Sequence, residues 1–282
     1  MPLEGTMDSF TGGIYSSEGK FIKDSIGWRG KQPPLQDYTE SLQGTYIYGG
    51  CLFGHFGHFI WESLSRLHTI RKCNNYPVLF ISPNDKIYSI QKTWLRTINV
   101  LNEVHIIKKP TLIEKLIYSS PGSSIWPLAI TDEQADALKC KTFHDCVSKK
   151  IWLSRSKLKY GKLDNECDIE EKIRELGFDI VYPEDLHLQE QIRLVSTSSI
   201  VAGCDGSAFF SLLFSQNVYG KFFVFNRRRD IPATLPYMFQ KRNIQFEKYI
   251  FDLEPVEEKW PISIFHQPNI YQIIDVLKSI KV

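Results

Sequence analysis

Four short apolar runs in the second half of the chain, KIWLS (150–154), FDIVYP (178–183), SIVAG (199–203) and KFFVFN (221–226), constrain the fold more than any other feature. Runs of this length without polar alternation read as strands buried on both faces, as in a parallel sheet. Between them lie segments of helical period: 165–176, stopped by Gly177; 187–197, with Leu188, Gln191, Ile192 and Val195 on one side; and 206–214. Strands alternating with helices imply right-handed βαβ units.

The first half repeats the alternation with weaker punctuation. TYIYGGCLF (45–53) is a strand by its aromatic and β-branched content, after which the spacing turns helical, with Phe59, Ile60, Leu64, Leu67 and Ile70 on one stripe. YPVLFIS (76–82) and EVHIIKK (103–109) are further strands around a helix near 86–98. Thr131 and Gln134 form a capping-box pattern for a helix running to about Ser148. The fold expected is α/β, with two Rossmann-like domains, 1–148 and 149–282, whose parallel sheets face a cleft. The closing NIYQIIDVLKSIKV (269–282) is helical and packs back across one of them, the N-terminal domain among the options.

With 282 residues, 43% hydrophobic and 23% charged, the chain is long and apolar enough to fill a core in each half. A net charge of +2 excludes a protein that wraps a polyanion over a broad basic face, so anion recognition is local and no nucleic-acid partner is expected. No segment approaches the roughly 18 continuous apolar residues of a membrane span, which leaves at most peripheral membrane association. Cys51, Cys73, Cys140, Cys146, Cys167 and Cys204 lack CxxC spacing and no asparagine has the N-x-[ST] context, which favours the cytoplasm, the inner face of the membrane included.

Ligands of open parallel sheets sit at the carboxyl ends of the strands. The segment SIVAGCDGSAFFSLLF (199–214) has the matching form, a strand, a turn of small residues and an apolar helix. Gly203 and Gly206 let backbone N–H groups approach a phosphate, and Ser207 can donate from the first turn. Glycines also serve strand-to-helix turns by geometry alone. WLSRSKLKYGK (152–162) adds Arg155 at a strand end, able to clamp a diphosphate with paired hydrogen bonds, and Lys162 beyond it, while Lys157 and Lys159 read as a solvated loop. Arg227, Arg228 and Arg229 follow the last apolar strand and read equally as contacts for an anion or as solvated charge.

The stretch 152–214 resembles the C-terminal half of glycosyltransferase family 61, in which a strand ending in Ser-Arg leads through a basic loop to Asn-Glu, then to a Gly-Phe strand, a helix with a Glu/Gln pair and a Gly-x-His-Gly turn. GHFGHFIWESLSRL (54–67) is similar to the family's N-terminal helix, and the resemblance extends over roughly 45–230. It implies a GT-B fold and inverting transfer from a nucleotide sugar, a UDP-sugar first among them, with no cofactor required. It implies further that Arg155 and Lys162 contact the diphosphate, that Asn165 and Glu166 begin a supporting helix, and that Gln191 lies near the nucleotide above Asp205, Gly206 and Ser207. Asp205 departs from the family's histidine. A carboxylate repels a diphosphate, so Asp205 is expected on a ribose or base, or as a helix cap.

On a helix from residue 58, His58, Glu62, Arg66 and Thr69 share one face. Three readings of that face compete. His55, His58 and Glu62 could ligate a metal in a hydrolase, although the spacing departs from the familiar zinc pattern. Glu62 and Arg66 could be an ordinary surface pair. His58 could be a general base, oriented by Glu62 with Arg66 bracing Glu62, because imidazole is competent near neutral pH without tuning. Trp28, Trp61, Trp94 and Trp152 read as core, and Trp126 as able to stack on an acceptor sugar. The function expected is sugar transfer to a glycan hydroxyl, free or lipid-linked, in bacterial surface polysaccharide synthesis. A metal-dependent hydrolase and a catalytically silent nucleotide- or glycan-binding subunit are the alternatives.

Overall fold

The computed structural model describes residues 10–83, 85–259 and 262–280. The chain divides into two compact units, Met1–Cys140 and Lys141–Val282. Both are α/β and both contain a parallel sheet.

In the first unit, β1 (Glu40–Cys51), β2 (Val78–Ile81), β3 (Val104–Ile107) and β4 (Thr111–Ile117) form a four-stranded parallel sheet in the order β3-β2-β1-β4. After β1 the chain turns into a short helix, α1 (Phe56–His58), a π-helical turn over Phe59–Ser63, and α2 (Leu67–Lys72). The expected apolar stripe is the buried side of this path: Phe59, Ile60, Leu64, Leu67 and Ile70 are all at most 1% exposed. Phe56 and Phe59 lie against Trp94 of α3 (Ser89–Thr97), with ring centroids 5.1 and 5.0 Å apart. The hairpin β5 (Ser123–Ile125) and β6 (Leu128–Ile130) precedes α4 (Asp132–Leu138). Thr131 caps α4 by accepting from Gln134 N, but the helix ends at Leu138, well short of the expected Ser148. Lys139 leaves helical geometry, the chain over 142–146 has no regular structure, and β7 (Val147–Leu153) begins before the expected end of the helix.

The second unit follows the expected alternation closely. After β7 come the short β8 (Lys162–Leu163), α5 (Glu166–Glu175), β9 (Phe178–Val181), α6 (Leu188–Thr197) and β10 (Ser198–Cys204). A 3-10 segment over Ser207–Phe214 replaces the expected helix and leads to β11 (Lys221–Phe225). Then follow α7 (Thr234–Lys241), β12 (Phe246–Tyr249), the hairpin β13 (Glu254–Lys259) and β14 (Ile262–His266), and α8 (Tyr271–Ser279). Five strands form a parallel sheet in the order β9-β7-β10-β11-β12. This is the second-first-third-fourth-fifth order of a doubly wound sheet, which reverses direction between β7 and β10.

Alternate residues of these strands fill two cores. Trp152, Ile200, Ala202, Phe223 and Phe225 pack with Ile169 and Ile173 of α5 and with Ile273, Ile274 and Leu277 of α8. The closing helix therefore completes the core of its own unit. On the other face, Phe222 and Phe209 lie 5.1 and 6.2 Å from Phe239 of α7 by ring centroid. Burial on both faces is why these strands have no polar alternation. No helix among the described residues is long and apolar enough to cross a membrane.

Candidate active site

The strand order brings three loops together at one edge of the second unit. They follow β7, β10 and β11, whose carboxyl ends are neighbours in the sheet. The crevice of a doubly wound sheet opens where the order reverses, so Arg155 after β7 and the turn Gly203–Ser207 around the end of β10 stand at the expected ligand position.

Arg155 is anchored from behind. Its backbone N–H donates to Glu166 Oε1 at 3.1 Å and its Nε donates to the Gly161 carbonyl at 2.6 Å. Neither terminal guanidinium nitrogen has a hydrogen-bond partner among the described residues. The backbone is cut back to admit the side chain. A Cβ on Gly206 would stand 2.3 Å from Arg155 Nη1, and one on Gly161 would stand 3.2 Å from Nη2 and 3.0 Å from Arg227 Nη1. Gly161 also has φ +67°, a conformation that side chains disfavour.

Asp205 is 1% exposed and faces inward to the arginines. Its Oδ1 accepts from Arg227 N at 3.0 Å, its carbonyl accepts from Arg227 Nε at 2.7 Å, and its Oδ2 lies 3.5 Å from Arg227 Nε and 4.0 Å from Arg228 Nε. Asp205, expected on a ribose or base or as a helix cap, makes these contacts to arginines. Burial and the neighbouring Arg227 pull the Arg155 pKa down to about 10, with Asp205 and Glu166 opposing. Burial, then Arg227, also lowers Arg228. Burial pushes the Glu166 carboxyl up to about 7, against hydrogen bonds from Arg155 N and Trp152 Nε1. Positive charge thus exceeds negative charge at a partly buried edge.

Other expected donor residues play supporting parts. Lys162 Nζ donates to the Ser156 carbonyl at 2.9 Å and closes the loop that carries Gly161. Asn165 exchanges two hydrogen bonds with the Gln267 backbone, at 2.9 and 3.1 Å, tying α5 to the end of β14. Gln191 donates to the carbonyls of Pro183 and Leu186, at 2.6 and 3.1 Å. Ser207 opens the 3-10 segment, whose first N–H groups lack partners within the helix. Arg227 and Arg228 belong to the cluster, whereas Arg229 pairs with Glu258 at 3.2 and 2.9 Å. The sequence signal for Arg227 was its place directly after an apolar strand, but only the strand order makes that place a neighbour of Arg155.

In the first unit His58 Nδ1 contacts Glu62 Oε2, and Arg29 Nε lies 3.9 Å from the same oxygen. Arg29 also stacks 4.1 Å above the Trp28 ring. Trp61 and Trp152 are buried as expected, but Trp28 is 48% exposed beneath this arginine, and Trp126 is 74% exposed between β5 and β6. Arg66 does not brace Glu62. It donates to the carbonyls of Ser119 and Asp24 and lies 5.1 and 5.5 Å from the Tyr48 and Tyr118 rings. The cause is the π turn at Phe59–Ser63, which widens the spiral and removes Arg66 from the i, i+4 register with Glu62. A cavity of about 40 Å³ borders Glu62, lined in part by Gly27, Trp28, Ser65, Ser123 and Ser124. His55 is exposed, its ring 5.2 Å from that of His58. Among the described residues no group of three His, Cys, Asp or Glu side chains is arranged to hold a metal ion, so the ligand set His55, His58 and Glu62 is not assembled.

A family model described as Glycosyltransferase 61 matches residues 56–219, more than half of the chain and inclusive of His58, Glu62, Arg155 and Asp205. No curated protein matches it.

Proposed function

Because this chain belongs to glycosyltransferase family 61, we propose that it transfers a sugar from a nucleotide-sugar donor, a UDP-sugar first among the candidates, to a glycan hydroxyl with inversion of configuration. The reading includes a GT-B arrangement of the two units, a free or lipid-linked acceptor, and a place in bacterial surface polysaccharide synthesis in the cytoplasm or at the inner face of the membrane. The observation that carries it is the Arg155 guanidinium, anchored by its Nε at a sheet reversal point with both terminal nitrogens unpaired among the described residues.

In this reaction the acceptor oxygen bonds to the anomeric carbon as the bond from that carbon to the diphosphate oxygen breaks. The electron pair leaves with the diphosphate, where Arg155 stabilises the developing charge, a contact worth about 2.7–4 kcal/mol in comparable preorganised sites. The acceptor proton goes to His58. With the Nδ1 proton directed at Glu62, the neutral ring has its lone pair on Nε2, so Glu62 sets the tautomer in which His58 is a base.

The test begins with thermal stabilisation by UDP, GDP, CMP and ADP, each with and without EDTA. A nucleotide at 100 times its Kd adds about 2.7 kcal/mol of stability. We expect one nucleotide to stabilise the protein insensitively to EDTA, with the shift lost in Arg155→Ala. No shift with any of them removes the donor reading. With donor and acceptor in hand, His58→Ala is expected to lower kcat by about 10²–10⁴; wild-type turnover in that variant would dismiss His58 as the base.

A further inference from the structure

We infer that Arg227, held in place by Asp205, is the second arm of a diphosphate clamp whose first arm is Arg155. The inference rests on the transferase reading above. It concerns a residue outside the segment 56–219 that the family model matches.

Both arginines are built alike. Each spends its Nε on a backbone carbonyl, Arg155 on Gly161 and Arg227 on Asp205, at 2.6 and 2.7 Å. That anchoring fixes the plane of each guanidinium and leaves the terminal nitrogens to point onward. They point to one place: Arg155 Nη2 and Arg227 Nη1 lie 3.2 and 3.0 Å from the position a Cβ on Gly161 would take. Only a residue without a side chain leaves that place open, and a diphosphate laid across it would present one phosphate to each fork.

The charges also suit a ligand of this kind. Arg227 by itself would neutralise Asp205, with which it makes its close contacts. Arg155 is then in surplus, and Arg228, 4.0 Å from the same carboxylate, adds a third guanidinium. Like charges converging at a partly buried edge repel, and the Arg155 pKa is lowered first by burial and then by Arg227. Two buried carboxylates, Asp205 and Glu166, stand against Arg155, Arg227 and Arg228; Asp205 acts as a fixture that aims Arg227, and a bound anion offsets the remaining positive charge. Asp205 is accordingly a positioning residue, which accounts for a carboxylate at a turn where it would otherwise repel the donor.

A two-armed clamp distinguishes two linked phosphates from one. The test is calorimetric titration of the full chain with UDP, UMP and inorganic pyrophosphate, using the nucleotide pair of whichever base stabilises the wild type. In Arg227→Ala we expect the nucleoside diphosphate and pyrophosphate to weaken by about tenfold to a hundredfold, the usual worth of a charge-assisted hydrogen bond, while the monophosphate changes by less than about threefold on the same scale. Asp205→Asn should shift the same ratio in the same direction by a smaller factor. Arg227→Gln, whose amide can still donate to the Asp205 carbonyl, serves if the alanine variant loses its fold, and the same ratio is read. Equal losses for diphosphate and monophosphate, or no loss in either folded variant, overturns the clamp while leaving the transferase reading standing. If the wild type binds no nucleotide but binds pyrophosphate through Arg227, the transferase reading falls and the clamp survives; if it binds neither, both fall.

Discussion

Glu166 is the residue whose burial has the clearest consequence for stability. Its Oε1 accepts from Trp152 Nε1 and from the Arg155 backbone, both at 3.1 Å, while its Oε2 is buried without a partner among the described residues. Burial therefore raises its pKa from the usual 4.5 to about 7, with the nearby Glu170 adding to the rise. A carboxyl whose pKa is higher in the folded state holds its proton more tightly there, so the native protein loses stability as pH rises from about 4.5 to about 7 and the loss levels off above. Its size is on the order of 3 kcal/mol. Glu166→Gln removes the titration and keeps a carbonyl oxygen for the two donors. Urea unfolding at pH 5 and pH 8 should show the variant gaining on the wild type by roughly 2–3 kcal/mol between the two. A constant difference would mean that Glu166 does not titrate in this range. The sequence marked Glu166 only as the start of a helix, because its burial comes from the strand it packs beneath.

At the scale of elements, the turn after β10 separates binding from stability. Gly206 is extended, with φ 179°, so the backbone there accepts any residue, and what an added methyl meets is the Arg155 side-chain tip rather than backbone, 2.3 Å away. Gly206→Ala should cost little stability, about 1 kcal/mol, because a side-chain tip and not backbone must shift, yet weaken nucleotide binding by displacing the guanidinium. Gly220 before β11 gives the contrasting case, since its Cβ would lie 2.1 Å from the Ser198 carbonyl oxygen. Backbone must move there, so Gly220→Ala should destabilise by about 1–3 kcal/mol. Thermal melts with and without nucleotide separate the two, and equal stability losses would contradict the geometry. The same physics explains which elements could be read from the chain. β10 and β11 carry continuous apolar stretches because strands on both sides and helices cover them. β4 and β12 are sheet edges with exposed Glu114, Lys115, Glu247 and Lys248, so charge interrupts the run and hides the strand. A π turn leaves no mark in residue spacing, and so Arg66 was expected beside Glu62 when it lies among tyrosines.

For the whole molecule, the arginines are decided by topology. Arg155 and Arg227 are far apart in sequence and meet because β7, β10 and β11 are adjacent in the sheet. All of the residues argued to hold the donor, Arg155, Gly161, Asp205, Gly206 and Arg227, lie in the unit Lys141–Val282. That unit has its own core, with α5 and α8 packed on one face of its five-stranded sheet, and is of a size that folds alone. The segment that enters it, Thr142–Cys146, has no regular structure, and Thr142, His144, Asp145 and Cys146 are exposed. Brief treatment with a nonspecific protease should therefore cut within 139–146 and release a C-terminal fragment that stays folded. Because the proposed donor contacts are internal to it, the purified fragment should keep the nucleotide-dependent thermal shift of the intact protein while losing the transfer activity proposed to use His58 of the other unit. A fragment that folds but shows no shift would mean that the first unit supplies donor contacts as well, and the clamp would then be only part of the nucleotide site.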